Sequence, residues 1–405
     1  MEKKRDAIRS LAQAAILPQE EFLPEKTKQQ QLTIGIPKEV SFQENRVALV
    51  PEAVALLTGN GHNVLVETGA GNSAHLTDNE YSEAGARIVY DKEEIFKSQI
   101  IMKVAPLNMQ EAGMLTGKQT LFSALQLSAH PKDTLRVLMQ KRMTAIAWDF
   151  IKDETGIYPV VRSMGEIAGN TSVLIAAEYL SSDKQGRGQM FGGISGVRPT
   201  GVVILGAGTA GEFAARAAIG LGASVKVFDN SIYKLRRLQN DLGTRLWTST
   251  IQPAVLTEAL RSADVVIGAI HATGGRTPCV VTEAMVRQMR PGSVVVDISI
   301  DQGGCFETSR VTNHADPVFS VHDVIHYCVP NIASRVSRTA SYALSNIFAP
   351  IVLNVGDEGG IVNEIKRHEG FRNGVYLFNG TLVNEIMGEA FDMPYKPLDL
   401  ILPAL

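Results

Sequence analysis

The sequence predicts an α/β protein built as two units, each around a mostly parallel sheet. Three observations carry this. Short apolar runs alternate with helical segments from about residue 32 onward, the pattern of βαβ units. The alternation breaks at a glycine-rich stretch, Gly186 to Gly196, and restarts at Gly201. The 405 residues also suit two domains, at about 100–200 residues each.

The elements follow in order. Residues 1–31 are charged and glutamine-rich and read as an arm, a short helix plus a linker. Strands are expected at Leu32–Ile36, Asn63–Glu67, Ile100–Val104, Thr120–Leu125 and Thr144–Trp148. Helices are expected at Pro51–Leu57, where proline opens the first turn, and near Asp133–Lys141. A long helix is expected over about Val161–Ser181. Beyond the glycine-rich stretch come strands at Val202–Leu205, Ser224–Phe228, Val265–Ala269 and Ser293–Ile298. A second long helix, about Arg338–Asn354, ends at Gly356, and pattern alone leaves open which unit it joins.

Composition narrows the function. A hydrophobic content of 45% supplies a sizeable core and excludes disorder for the bulk of the chain. Cys279, Cys305 and Cys328 are few, odd in number and late in the chain, so they read as reduced thiols in a cytoplasm. A formal charge of −3 gives no electrostatic case for a nucleic-acid partner. No apolar run reaches the length of a membrane span. Lys3, Lys4 and Arg5 precede an apolar run, Leu11–Leu17. Gln13 interrupts it and Pro18, Glu20 and Glu21 follow, so it is too short and polar for a signal peptide. No set of residues has metal-ligand spacing; His322 and His326 lack a third ligand nearby.

The sharpest motif is Gly206, Gly208 and Gly211, a G-x-G-x-x-G turn between the strand Val202–Leu205 and a helix expected over Thr209–Ile219. The first glycine permits the tight turn and the second lets a pyrophosphate approach the backbone. The third allows close helix–strand packing, and the helix N-terminus offers unpaired N–H groups. Asp229 ends the next strand, where an acid would bond the ribose 2′-hydroxyl of NAD and repel the 2′-phosphate of NADP. No arginine follows it directly; Lys234, Arg236 and Arg237 come later on a helix.

With these residues in place, the chain from about residue 33 to its end resembles the alanine dehydrogenase family, which also includes the nucleotide-binding subunit of proton-translocating transhydrogenase. The resemblance rests on Gly35–Glu39, Glu44–Ala48, Gly69–Gly71, Met164–Gly169, Gly206–Gly211, Val296–Glu307, His322–Asp323, Tyr327–Asn331 and Thr339–Leu344. The block Val296–Glu307 is similar to alanine dehydrogenase rather than transhydrogenase. The resemblance implies reversible oxidative deamination of L-alanine to pyruvate and ammonium, with NAD as cofactor. It implies two Rossmann-like doubly wound domains with a cleft between them. The substrate domain would be discontinuous, 32–160 and 338–405, and the NAD-binding domain would span 161–337. A homo-oligomer, hexamer or dimer, is the family's habit.

Residue roles carry over by the same resemblance. Arg46 would grip the substrate carboxylate, since a guanidinium fork binds it bidentately and stays charged. Asp301 would lie near the nicotinamide, while Asp297 reads as structural. Met164, Gly206, Gly208, Thr209, Ala210, Gly211, Asp229, Lys234, Asp301 and Asn331 would hold the cofactor, with His271–Pro278 facing a ribose. Cys305 and Cys328 would be packed core thiols.

The chain also departs from the family. Ala105 stands where a catalytic lysine is usual. Lys103 is a candidate for that role, although a one-residue slip in a strand turns a side chain to the other face. Gln126 stands where the catalytic histidine is usual. It can hydrogen-bond a ketone but cannot act as a general acid, a loss of about 10²–10⁴-fold in rate if nothing replaces it. His130 follows nearby and reads as a lone surface histidine. Gly165 and Asn170 replace the usual serine and arginine. These departures keep two other readings open: a dehydrogenase for another amino or 2-oxo acid, and an impaired NAD-binding homologue with a regulatory role.

Overall fold

The structure, a computed structural model, describes residues 29–125, 132–272 and 275–404. The expected arm, except for Gln29, Gln30 and Gln31, lies outside the described residues, as do Gln126 and His130. Gln29 donates to Asp357, and the Gln30 N–H donates to the Gly356 carbonyl, so the arm's last residues sit on the end of the second long helix.

The first sheet contains β1 (Thr33–Ile36), β2 (Asn63–Glu67), β3 (Arg87–Val89), β4 (Ile100–Met102), β5 (Thr120–Ser123) and β6 (Thr144–Ala147), all parallel. The chain then leaves through the long helix Pro159–Tyr179. Val160 of that helix packs in the first core, and Ala168, Val173, Ile175, Ala176 and Tyr179 pack in the second.

The second sheet contains β7 (Gly201–Leu205), β8 (Ser224–Phe228), β9 (Trp247–Ser249), β10 (Val265–Gly268), β11 (Val294–Asp297), β12 (Val318–Val321) and β13 (Val324–Tyr327). Only β12 runs antiparallel there. The helix Ser337–Asp357 returns the chain to the first core through Leu344, Phe348, Val352 and Val355. Two last strands, β14 (Val375–Phe378) and β15 (Thr381–Leu382), extend the first sheet beside β6, antiparallel to their neighbours.

Apolar runs make these strands because helices cover both faces of each sheet, so no face needs to be polar. Along β7, Val202 and Ile204 join one core layer, while Val203 and Leu205 join the opposite one. The strand orders are β3-β2-β1-β4-β5-β6-β14-β15 and β9-β8-β7-β10-β11-β13-β12. The first contains the doubly wound 3-2-1-4-5-6 order, and so do the six parallel strands of the second, where β13 takes the sixth place and the antiparallel β12 lies outside it. Among the described residues, no helix is long and apolar enough to cross a membrane.

Candidate active site

Both sheets reverse their winding at one place, between β1 and β4 and between β7 and β10. Open α/β sheets bind ligands outside the carboxyl ends of their strands at such switch points. Here the two places face each other. Loops after β1, β4 and β6 meet loops after β7, β10 and β11 around one cleft of about 640 Å³.

On one wall, Gly206 adopts φ 107°, a conformation other residues rarely take, and a Cβ there would collide with the Ala269 carbonyl. A Cβ on Gly211 would collide with the Gly206 carbonyl, so the helix Thr209–Gly220 starts tight against the turn. Nothing lies within 4 Å of where a Cβ on Gly208 would stand. No side chain caps this helix, so Thr209, Ala210 and Gly211 present backbone N–H groups beside an open space suited to a pyrophosphate. Asp229 is fixed by two backbone donors, Ala207 N–H to Oδ2 at 2.8 Å and Ser231 N–H to Oδ1 at 2.7 Å. Each oxygen retains accepting capacity for a ribose hydroxyl. Lys234 sits in the first turn of the next helix; burial, and then its charge, push His271 of the cleft below the ordinary histidine pKa.

The opposite wall carries Arg46. It is 4% exposed and makes a two-pronged pair with Glu44: Nε to Oε1 at 2.7 Å and Nη2 to Oε2 at 2.6 Å. Its Nη1 reaches the Met164 sulfur at 3.3 Å. Burial works against the charge, but Glu44, Glu39 and Asp301 together raise its pKa. Asp301 lies in the 3₁₀ turn Ile298–Gln302 after β11 and accepts the Asn331 N–H at 2.8 Å. Its pKa is raised by the crowding cleft walls, against the Asn331 N–H and Arg46. Asn331 also donates its side-chain amide to Glu44 at 3.0 Å. Arg46, Glu44, Asn331 and Asp301 therefore form one chain of contacts between the two sheets.

The structure thus brings Arg46, Met164, Asp301 and Asn331 together, with Ala210 on the same cleft. Lys103, the candidate for the catalytic lysine, is not among the residues lining this cleft. The pairing of β4 with β5 runs on past Met102, the Lys103 N–H donating to the Phe122 carbonyl and the Ala124 N–H to the Val104 carbonyl. The Lys103 ammonium is fully buried between Glu39 at 2.9 Å and Glu111 at 3.1 Å, while Ala105 lines the cleft. Asp297 is buried and accepts from the Ser299 and Cys305 N–H groups and the Ser309 hydroxyl, which ties down the loop carrying Asp301. Cys305 and Cys328 are buried.

Two cleft acids escaped sequence reasoning. Glu44 could have been found as the near neighbour able to fold back on Arg46. Asp149 could have been found as an acid directly after the apolar run Thr144–Trp148, at the carboxyl end of a strand.

Residues 35–168 match the family profile described as "Alanine dehydrogenase/PNT, N-terminal domain", and residues 172–385 match "Alanine dehydrogenase/PNT, C-terminal domain". The chain belongs to the alanine dehydrogenase/PNT family. It is 40% identical over 366 residues to an alanine dehydrogenase of Mycolicibacterium smegmatis, covering 90% of this chain and 98% of that protein. It is 36% identical over 369 residues to an alanine dehydrogenase of Bacillus subtilis, covering 91% and 97%. Among solved structures, an L-alanine dehydrogenase superposes with a TM-score of 0.84 at 35% identity, over 89% of this chain and 99% of that one. A transhydrogenase from Sinorhizobium meliloti shares the fold, with a TM-score of 0.74 at 24% identity over 87% and 99%.

Proposed function

We propose that this chain catalyses the reversible oxidative deamination of L-alanine to pyruvate and ammonium, with NAD as the hydride acceptor. The observation that carries the reading is Arg46, a buried cation on the cleft wall opposite the glycine turn, within a chain that belongs to the family.

When bound, the nicotinamide supplies the redox chemistry by taking a hydride from the substrate Cα. The chain's own residues do the rest. Thr209, Ala210 and Gly211 offer N–H groups to the pyrophosphate above the open face of Gly208. Asp229 accepts from the ribose and disfavours a 2′-phosphate. Glu44 occupies the Nε–Nη2 edge of Arg46 and leaves the Nη1 side for a substrate carboxylate. Asn331 holds Asp301 in place beside that carboxylate site. Trp148 and Ala105 give the cleft apolar wall, which excludes water and strengthens the Arg46–carboxylate attraction.

The division into a substrate domain, 32–160 with 338–405, and an NAD domain, 161–337, is supported by the return of β14 and β15 to the first sheet. We take the working form to be a homo-oligomer, hexamer or dimer, in the cytoplasm. Exposed Leu174, Met190, Ile194 and Val197 on the second unit are in keeping with assembly.

The test is NADH formation from L-alanine at alkaline pH and NADH consumption with pyruvate and ammonium. Protein that binds NADH yet turns over neither substrate would overturn the reading. Ala105 gives a small wall where the family has lysine, so a panel of 2-oxo acids belongs in the same assay; another acid outrunning pyruvate would change the substrate assignment. A further expected result concerns Asp229→Asn, which keeps an acceptor and loses the charge. NADH binding weakens about tenfold and NADPH binding improves by a similar factor, since one repulsive charge near a phosphate is worth about 1–4 kcal/mol. Cofactor fluorescence titration measures both.

A further inference from the structure

Five ionisable side chains line the cleft among the described residues: Glu44, Arg46, Asp149, His271 and Asp301. Oxidising an amino acid requires one of the cleft's groups to take a proton from the substrate ammonium before hydride can leave the carbon. Arg46 stays charged, Glu44 is engaged side-on with Arg46, Asp301 faces the Arg46 charge, which favours its ionised form, and His271 stands beside the cofactor wall near Lys234. Asp149 has no task in that arrangement.

Its setting is that of a fixed acid. Asp149 follows β6 directly, at the carboxyl end of the sheet where ligands bind. Its Oδ1 accepts the Leu125 N–H at 3.1 Å. Its neighbour Trp148 is 5% exposed and donates its indole N–H to the Val104 carbonyl at 3.0 Å. The turn is therefore clamped to the ends of β4 and β5. Those are the segments where the chain departs from its family. Val104 precedes Ala105, and Leu125 precedes Gln126. Asp149 is thus bonded to Leu125, and its neighbour Trp148 to Val104.

We propose that Asp149 is the acid–base residue of this cleft, standing in for the histidine that Gln126 replaces. The inference rests on the dehydrogenase reading above. In the oxidative direction the Asp149 carboxylate takes one proton from the alanine ammonium. An N–H bond breaks, an O–H bond forms, and nitrogen keeps the electron pair. That pair becomes the second C–N bond as Cα–H leaves with its two electrons to NAD, the oxidant. Asp149 then releases its proton to solvent, which accounts for the proton that the overall reaction produces. In the reverse direction Asp149 returns a proton to the product amine.

The electrostatics agree with this role. Burial pushes the Asp149 pKa up to about 6, against the pull of backbone N–H groups, so it is ionised and basic at the alkaline pH of alanine oxidation. The neighbouring ionisable group on β14 is Tyr376, whose hydroxyl is held neutral by burial first and by the Asp149 charge after it. Glu44, Arg46, His271 and Asp301 share the cleft.

The experiment compares wild type, Asp149→Asn, Asp149→Glu and His130→Ala in full pH profiles of alanine oxidation. Expected is a kcat loss of about 10²–10⁴-fold in D149N, with NADH affinity within about threefold of wild type. The acidic limb near pH 6 disappears in D149N. D149E, which keeps an acid, recovers much of the rate with a shifted limb, and this second variant decides the case if D149N does not fold. H130A stays near wild type. Active wild type with an equally active D149N, an unmoved acidic limb in D149E, or an H130A that loses the limb each overturns Asp149 alone. Wild type that binds NADH but oxidises no alanine overturns the dehydrogenase reading and Asp149 with it.

Discussion

Arg46→Lys is expected to lower kcat/KM for L-alanine by about 10²-fold while leaving NADH affinity unchanged. The guanidinium makes two kinds of contact at once. Its Nε–Nη2 edge is taken by Glu44, and Nη1 faces the cleft beside Met164. An ammonium is a point charge and cannot serve both partners with a rigid fork. Each charge-assisted hydrogen bond lost is worth about 1.5–3 kcal/mol, or roughly 10–10²-fold. Arg46→Ala goes further. It removes all substrate anchoring, for an expected loss of about 10³-fold or more, and it leaves the Glu44 carboxylate buried without its cation. Removing one partner of a buried pair costs about 3–5 kcal/mol, so R46A also melts well below wild type. The lysine variant separates the effects because it keeps a positive charge near Glu44. Steady-state kinetics with thermal melts of both variants check this; a wild-type KM for alanine in R46K would remove Arg46 from the carboxylate site.

How much of this was legible in the sequence depended on how local the physics was. The glycine turn was legible because each glycine answers a local demand, a positive φ at 206 and a close approach at 211. All nine expected strands occur, since each is an apolar run covered on both faces. The hairpin of β12 and β13 was not expected. Its turn residues, His322 and Asp323, adopt φ 52° and 60°, whereas tight hairpin turns usually advertise themselves through Asn-Gly or Asp-Gly. Strands β3 and β9 were also missed; both are three-residue strands at the sheet edge, and only Val89 among their residues is buried. In the site, Arg46 was legible through its family block. The Glu44–Asn331 contact was not, because residues 287 positions apart meet only once both sheets are in place. The setting of Lys103 was not legible for a related reason: its partners Glu39 and Glu111 come from two other segments, and no local pattern shows that they converge.

That convergence makes Lys103 the site of the second large effect. Lys103→Met is expected to destabilise the fold by about 3–5 kcal/mol, the cost of breaking a buried ion pair from one side. The Lys103 ammonium is fully buried; burial opposes its charge, but Glu39 and Glu111 more than offset this and raise its pKa. Glu39 also has a raised pKa, because burial outweighs the pull of Lys103 and of the Val104 N–H. A carboxyl whose folded pKa lies above its unfolded value is stabilising when protonated, and that stability is lost as pH rises through the folded pKa. Without Lys103 the Glu39 pKa climbs further, so the deficit of K103M is smallest near pH 5 and grows towards pH 8. Denaturant melts of wild type and K103M at both pH values measure it. Adding Glu39→Gln to K103M removes the stranded charge and recovers part of the loss, a coupling that a double-mutant cycle reads directly. If K103M instead kept wild-type stability at both pH values and lost only turnover, the buried lysine would be a catalytic residue after all, and the cleft would have to rearrange to reach it.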